Sequence, residues 1–129
     1  ATDHAPHHYD EKQVEFDRAP FGITGLETCV SLCFDRLVHA GLISFSRLIE
    51  LLSVNPARIL RIPGGSITEG APADLTILAP DLRVRVDAKS MKSKSKNTPF
   101  DGWELRGGVA ATIVGGRTVY HNTAVNLSI

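Results

Sequence analysis

At 129 residues, 43% hydrophobic and 22% charged, the chain has the composition of a globular protein with one modest core or two small ones. Fourteen basic and fourteen acidic residues leave no formal net charge, which removes the electrostatic case for nucleic acid or an anionic membrane as the main partner. The apolar runs are too short and interrupted to span a bilayer, and no targeting pattern is visible. With no disulfide framework among its cysteines, the chain reads as a cytoplasmic protein.

The first twenty residues are polar and lack glycine, so they read as a surface loop following an element that ends at Asp3. Gly22 and Gly25 bracket a turn, and Thr24 is placed to cap the next helix. Leu26, Val30, Cys33, Phe34, Leu37 and Val38 recur at helical spacing and predict one buried stripe that stops at Gly41. Cys29 and Cys33 lie four apart on that helix, where sulfurs point poorly for bridging; they are small core residues or, alternatively, metal ligands. Ser44 opens a second helix with Leu48, Ile49, Leu51 and Leu52 as its apolar face. Asn55-Pro56 starts a third, with Asn at the cap and Pro in the first turn, and Pro63-Gly64-Gly65 lies beyond its end.

From there the period shifts to about two. ADLTIL at 73–78 and LRVRV at 82–86 read as strands joined by a turn at Ala79-Pro80-Asp81, and 109–114 and 117–120 form a hairpin on Gly115-Gly116. Between them lies KSMKSKSK at 89–96, either a solvated loop or a phosphate- or RNA-binding run. Helices before residue 63 and strands after it suggest the tail of an α/β barrel followed by a strand-rich portion with open edges.

Three stretches carry candidate chemistry. Asp3 precedes a loop, where a carboxylate serves as a turn or cap residue, or ligates a metal and takes a proton from metal-bound water. His4, His7 and His8 are exposed loop residues, or Asp3, His7 and His8 form a zinc site completed by a distant Cys or His121; Pro6 rules out a regular helix there. In APFGITGLE at 19–27, glycines flank an apolar pair, either to present bare peptide groups to a planar ligand or to feed a helix from a turn.

TDHAPH at 2–7, EFDRAPFGITGLET at 15–28, NPARIL at 55–60 and KSKNTPFDGWELRG at 94–107, with ADLTIL and IVGGRTVY at 113–120, together resemble the bacterial dihydroorotases of the amidohydrolase superfamily. Hydantoinases and allantoinases share DH at this loop but usually continue it differently, so His7 favours dihydroorotase. The resemblance implies a zinc-dependent hydrolase of pyrimidine biosynthesis that interconverts N-carbamoyl-L-aspartate and L-dihydroorotate. It implies a (β/α)8 TIM-type barrel beside a small β-sandwich, with residues 1–62 belonging to the barrel's end and 63–129 to the sandwich. Asp3 then matches the acid that contacts the metal and shuttles the proton. His7 matches the histidine that binds the substrate carboxylate, and Phe21 and Gly22 match the backbone pair that hydrogen-bonds the ring. His4 and His8 inherit no role, and Trp103 is expected to pack where the 89–96 loop meets the sandwich.

The departure from the family is as informative. Its early His-x-His pair, its carboxylate or carboxylated lysine and its two further histidines have no counterpart here, and a barrel of this kind needs roughly 250 residues. The sequence therefore reads as a C-terminal fragment beginning inside the last barrel strand, inactive without its N-terminal complement. The partners implied are a small-molecule substrate, that complement, further copies of the chain, and aspartate transcarbamoylase, which some family members bind. The rival readings are a non-catalytic scaffold for that transcarbamoylase and a different cyclic amidase.

Overall fold

The computed structural model describes residues 2–126; Ala1 and 127–129, which the sequence assigns to the ends of the barrel and sandwich portions, lie outside the described residues. The helices come first and the strands follow. They are α1 (Tyr9–Lys12), α2 (Leu26–Cys33), α3 (Phe45–Ile49), α4 (Asn55–Leu60), then β1 (Leu75–Arg85), β2 (Glu104–Val114) and β3 (Arg117–His121).

Both longer helices are interrupted by π-helical turns. Residues Phe34–Val38 continue α2, and Glu50–Val54 join α3 to α4 without a break in right-handed helical backbone. Ser44 caps α3 as expected, its hydroxyl accepting from the Arg47 N–H at 3.1 Å. Asn55 does not cap α4. It sits inside the continuous run with helical dihedrals, so its amide is free to accept from the Arg58 guanidinium at 3.1 Å. The run ends at Arg61, which adopts the left-handed conformation (φ 53°) normally left to glycine.

The three strands form one antiparallel sheet in the order β1-β2-β3. The Gly115-Gly116 hairpin is present, with both glycines at positive φ, as a two-residue turn matching strand twist requires. The turn expected at Ala79-Pro80-Asp81 is absent. β1 runs through it as a bulge in which Pro80, Asp81 and Leu82 face the single residue Gly107 of β2. An edge strand tolerates this, because Pro80 has no N–H to withhold from a ladder on its open side.

Helix and sheet share a core. Phe34 is fully buried, stacks on Phe45 at 5.6 Å between ring centroids, and lies against Gly107. A Cβ at Gly107 (φ 103°) would come within 2.3 Å of the Phe34 Cβ, so the close approach needs glycine for both space and conformation. Leu105, Ala110, Ala111, Leu48 and Ala57 complete the buried set with Val86 and Ala88. The predicted stripe on α2 is only partly buried. The face turned to the core is Thr24, Thr28, Ser31 and Phe34, at helical spacing, while Leu26 is exposed. Small hydroxyl residues let α2 lie close over the glycine- and alanine-rich middle of β2. Trp103 packs edge-on against Phe100 at 5.2 Å, under the Arg36 guanidinium, and its carbonyl accepts from the Val86 N–H. Cys29 and Cys33 are both free thiols.

Candidate active site

The segment 3–8 and the segment 20–25 meet as a short parallel pairing. His4 bridges Ile23, and the Ala5 N–H donates to the Ile23 carbonyl at 2.9 Å. Three of the four residues singled out by sequence come together there. The His7 Nε2 lies 2.7 Å from the Phe21 carbonyl, and a Cβ built on Gly22 would sit 3.5 Å from the same nitrogen. Facing a carbonyl, Nε2 can only be a donor. Its other ring nitrogen, Nδ1, is 3.5 Å from the Glu11 carboxylate. Gly22 (φ 108°) leaves no room for a side chain, since a Cβ would press within 2.4 Å of the Ala5 Cβ. The Phe21 side chain is 95% exposed, so only its peptide groups belong to the cluster.

Asp3 is the fourth residue. It is exposed, holds a left-handed backbone (φ 46°), and has no hydrogen-bond or ion-pair partner among the described residues. Aspartate tolerates that conformation better than most side chains, but it remains sparsely populated and turns the chain sharply into the 3–8 loop. A free carboxylate at a fixed turn suits a metal ligand or a proton acceptor. The described residues hold no group of three His, Cys, Asp or Glu able to bind a metal ion. Asp3 therefore offers one ligand, not a site.

The other two histidines of the opening loop have work that sequence did not suggest. The His4 Nδ1 accepts from the Gly25 N–H at 3.0 Å and the Leu26 N–H at 3.4 Å, capping α2 from 21 residues away. This replaces the expected Thr24 cap; the Thr24 hydroxyl is buried without a partner. His8 caps α1 in a reciprocal box: its ring accepts from the Asp10 N–H, and the Glu11 carboxylate accepts from the His8 N–H, both at 3.3 Å.

The 89–96 run is no free loop. After a 3-10 turn at Ala88–Ser90, the Glu27 carboxylate accepts from the Lys92 and Ser93 N–H groups at 2.8 and 3.0 Å. The Lys96 ammonium folds back onto the Met91 and Ser93 carbonyls. Its lysines thus lie on a segment anchored to α2 and running into Asn97, which contacts both site loops. Asn97 lies in the family-like stretch 94–107, but nothing local to it suggests a role, because the carbonyls it donates to lie 75 and 92 residues away.

His7 and the Phe21-Gly22 peptide groups thus meet just ahead of α2, with Asp3 at the start of the same loop. Residues 2–119 match the amidohydrolase family, and the chain belongs to that family. Among curated relatives it is 50% identical to a dihydroorotase of Geobacter metallireducens over 93% of the chain and 28% of that protein. It is also 50% identical to a dihydroorotase of Pelotomaculum thermopropionicum, over 97% of the chain and 29% of the relative. The chain thus spans under a third of the length of these relatives. Solved structures of similar fold include the dihydropyrimidinase of Brevibacillus agri (TM-score 0.83, 23% identity, 93% of this chain and 27% of that one). The L-hydantoinase of Arthrobacter aurescens superposes with a TM-score of 0.76 at 35% identity, over 81% of this chain and 24% of its own.

Proposed function

We propose that this chain is the C-terminal part of a dihydroorotase. In it, residues 1–62 end a (β/α)8 barrel and 63–129 contribute to a β-sandwich. The reaction is the reversible ring closure of N-carbamoyl-L-aspartate to L-dihydroorotate in pyrimidine biosynthesis. The observation that carries it is the convergence of His7, Phe21 and Gly22 beside the Asp3 turn, in a chain about half identical to dihydroorotases over nearly all its length.

In this reading Asp3 is the proton carrier and the chain's one metal ligand. Zinc bound at this position would take Asp3 as one ligand and would supply Lewis acidity for hydrolysis of the ring amide. The Asp3 carboxylate accepts the proton of the attacking water and returns it to the ring nitrogen as the amide C–N bond breaks; ring closure reverses both transfers. His7 donates through Nε2 to the substrate carboxylate, exchanging the Phe21 carbonyl for it. The Phe21 and Gly22 peptide groups then orient the planar ring. The left-handed backbone at Asp3 supports this, because strain of that kind collects where a side chain has to be aimed.

The test joins this chain to the N-terminal part of a full-length relative, supplies zinc, and measures dihydroorotate formation and hydrolysis. Turnover is expected, and Asp3→Asn is expected to lower kcat about 10³-fold with little change in KM. No turnover in a folded assembly, or an Asp3→Asn variant as active as the parent, counts against the proposal. The similarity to an L-hydantoinase favours one second reading, a different cyclic amidase. Preferential hydrolysis of hydantoin or allantoin over dihydroorotate would establish it.

A further inference from the structure

The two loops that carry the proposed substrate contacts are tied to a third segment by one side chain. The Asn97 Nδ2 donates to the Ala5 carbonyl at 3.3 Å and to the Gly22 carbonyl at 3.2 Å, one bond to each loop. Its Oδ1 accepts from the Ser95 hydroxyl and, at 3.5 Å, from the His7 N–H, while its own carbonyl accepts from the Thr24 N–H at 3.0 Å. The segment bearing Asn97 is itself fixed, because Glu27 grips the peptide groups of Lys92 and Ser93. A carboxamide alone offers two donors and an acceptor in one plane at this reach; aspartate keeps the acceptor and loses both donors.

We propose that Asn97 is a positioning residue, holding His7 and the Phe21-Gly22 peptide at the separation a substrate needs. The inference rests on the reading of those residues as substrate contacts. Asn97 has no hydrogen bond to Asp3 among the described residues, so its effect falls on substrate affinity and not on proton transfer. The strand half of the chain thereby sets affinity at a site whose acid lies in the helical half.

The experiment compares wild type, Asn97→Ala and Asn97→Asp in the complete enzyme, by steady-state kinetics with dihydroorotate and by amide hydrogen exchange. Both variants are expected to raise KM about tenfold or more, with kcat held within about threefold. Exchange in segments 3–8 and 20–25 is expected to quicken about tenfold, with β2 and β3 unchanged. Asn97→Asp is nearly isosteric and carries the test if Asn97→Ala does not fold. An unchanged KM, a fall in kcat that matches or exceeds the rise in KM, or undisturbed exchange in both segments overturns the proposal. The exchange readout needs no substrate. A wild type inert toward dihydroorotate whose loops nonetheless loosen in the variants would reject the proposed activity and keep the positioning role.

Discussion

At the scale of single residues, the opening loop shows how far a motif can be read. The residues alone left Asp3, the histidines and the 19–27 stretch open between bland and chemical readings. The family resemblance singled out Asp3, His7, Phe21 and Gly22, of which His7, Phe21 and Gly22 converge. The capping duties of His4 and His8 were not legible, because histidine is an uncommon cap and its acceptor nitrogen shows only in the fold. The cysteines make a related point. Burial first, and the neighbouring Cys29 second, push the Cys33 thiol up from 9.0 to about 11. A thiol held protonated is a poor metal ligand and a poor nucleophile, which favours the packing role over the metal one. The unfolded chain ionises this thiol near its ordinary value, so the stabilisation it reflects is fully present below about pH 9 and is lost as pH rises toward 11. At pH 8, Cys33 should react with iodoacetamide at least about tenfold more slowly than an unperturbed thiol, its smaller thiolate fraction being partly offset by a more nucleophilic thiolate. Mass-spectrometric labelling that finds it as fast as a model thiol would refute this.

At the scale of elements, the sequence predicted the Ser44 cap and the Gly115-Gly116 hairpin because each is decided by two or three adjacent residues. It failed where distant packing overrides a local signal. Ala79-Pro80-Asp81 carries turn chemistry, yet the pairing of β1 with β2 on both sides absorbs it as a bulge. That bulge is pinned by the His39 ring at 2.8 Å from the Pro80 carbonyl and by the Arg106 guanidinium on Asp81. Asn55-Pro56 likewise carries a start signal, but a π-helical turn delivers the chain already helical. The element contact with least tolerance is Phe34 on Gly107. Gly107→Ala places a methyl inside the Phe34 contact distance and an L side chain at positive φ, and is expected to destabilise the fold by about 3 kcal/mol. A urea unfolding midpoint indistinguishable from wild type would show that the sheet shifts to make room.

At the scale of the whole molecule, the described chain leaves much apolar surface uncovered. Leu26, Leu42, Ile59, Leu60 and Ile67 are all exposed, and Ile59 and Ile67 are 74% and 92% exposed. Amphipathic spacing foretold apolar faces on these helices but could not say which would meet the sheet, since small hydroxyl residues outcompeted leucine for it. Asp3 offers a metal one ligand, which leads to a solution prediction. By itself the chain should bind zinc only weakly, and calorimetry showing tight one-to-one binding would mean that a complete site exists within it.

The bond from the His7 N–H to the Asn97 side chain spans 90 residues, and that separation has a kinetic meaning. Closing a loop of such length carries an entropic penalty of about 4 kcal/mol, met only once the sheet has formed and docked. Helices and hairpin assemble from neighbours in microseconds, whereas this closure waits for them. The contact between the opening loop and Asn97 is therefore expected to form after the sheet, and pulse-labelled exchange that protects the His7 N–H before β2 would refute that order.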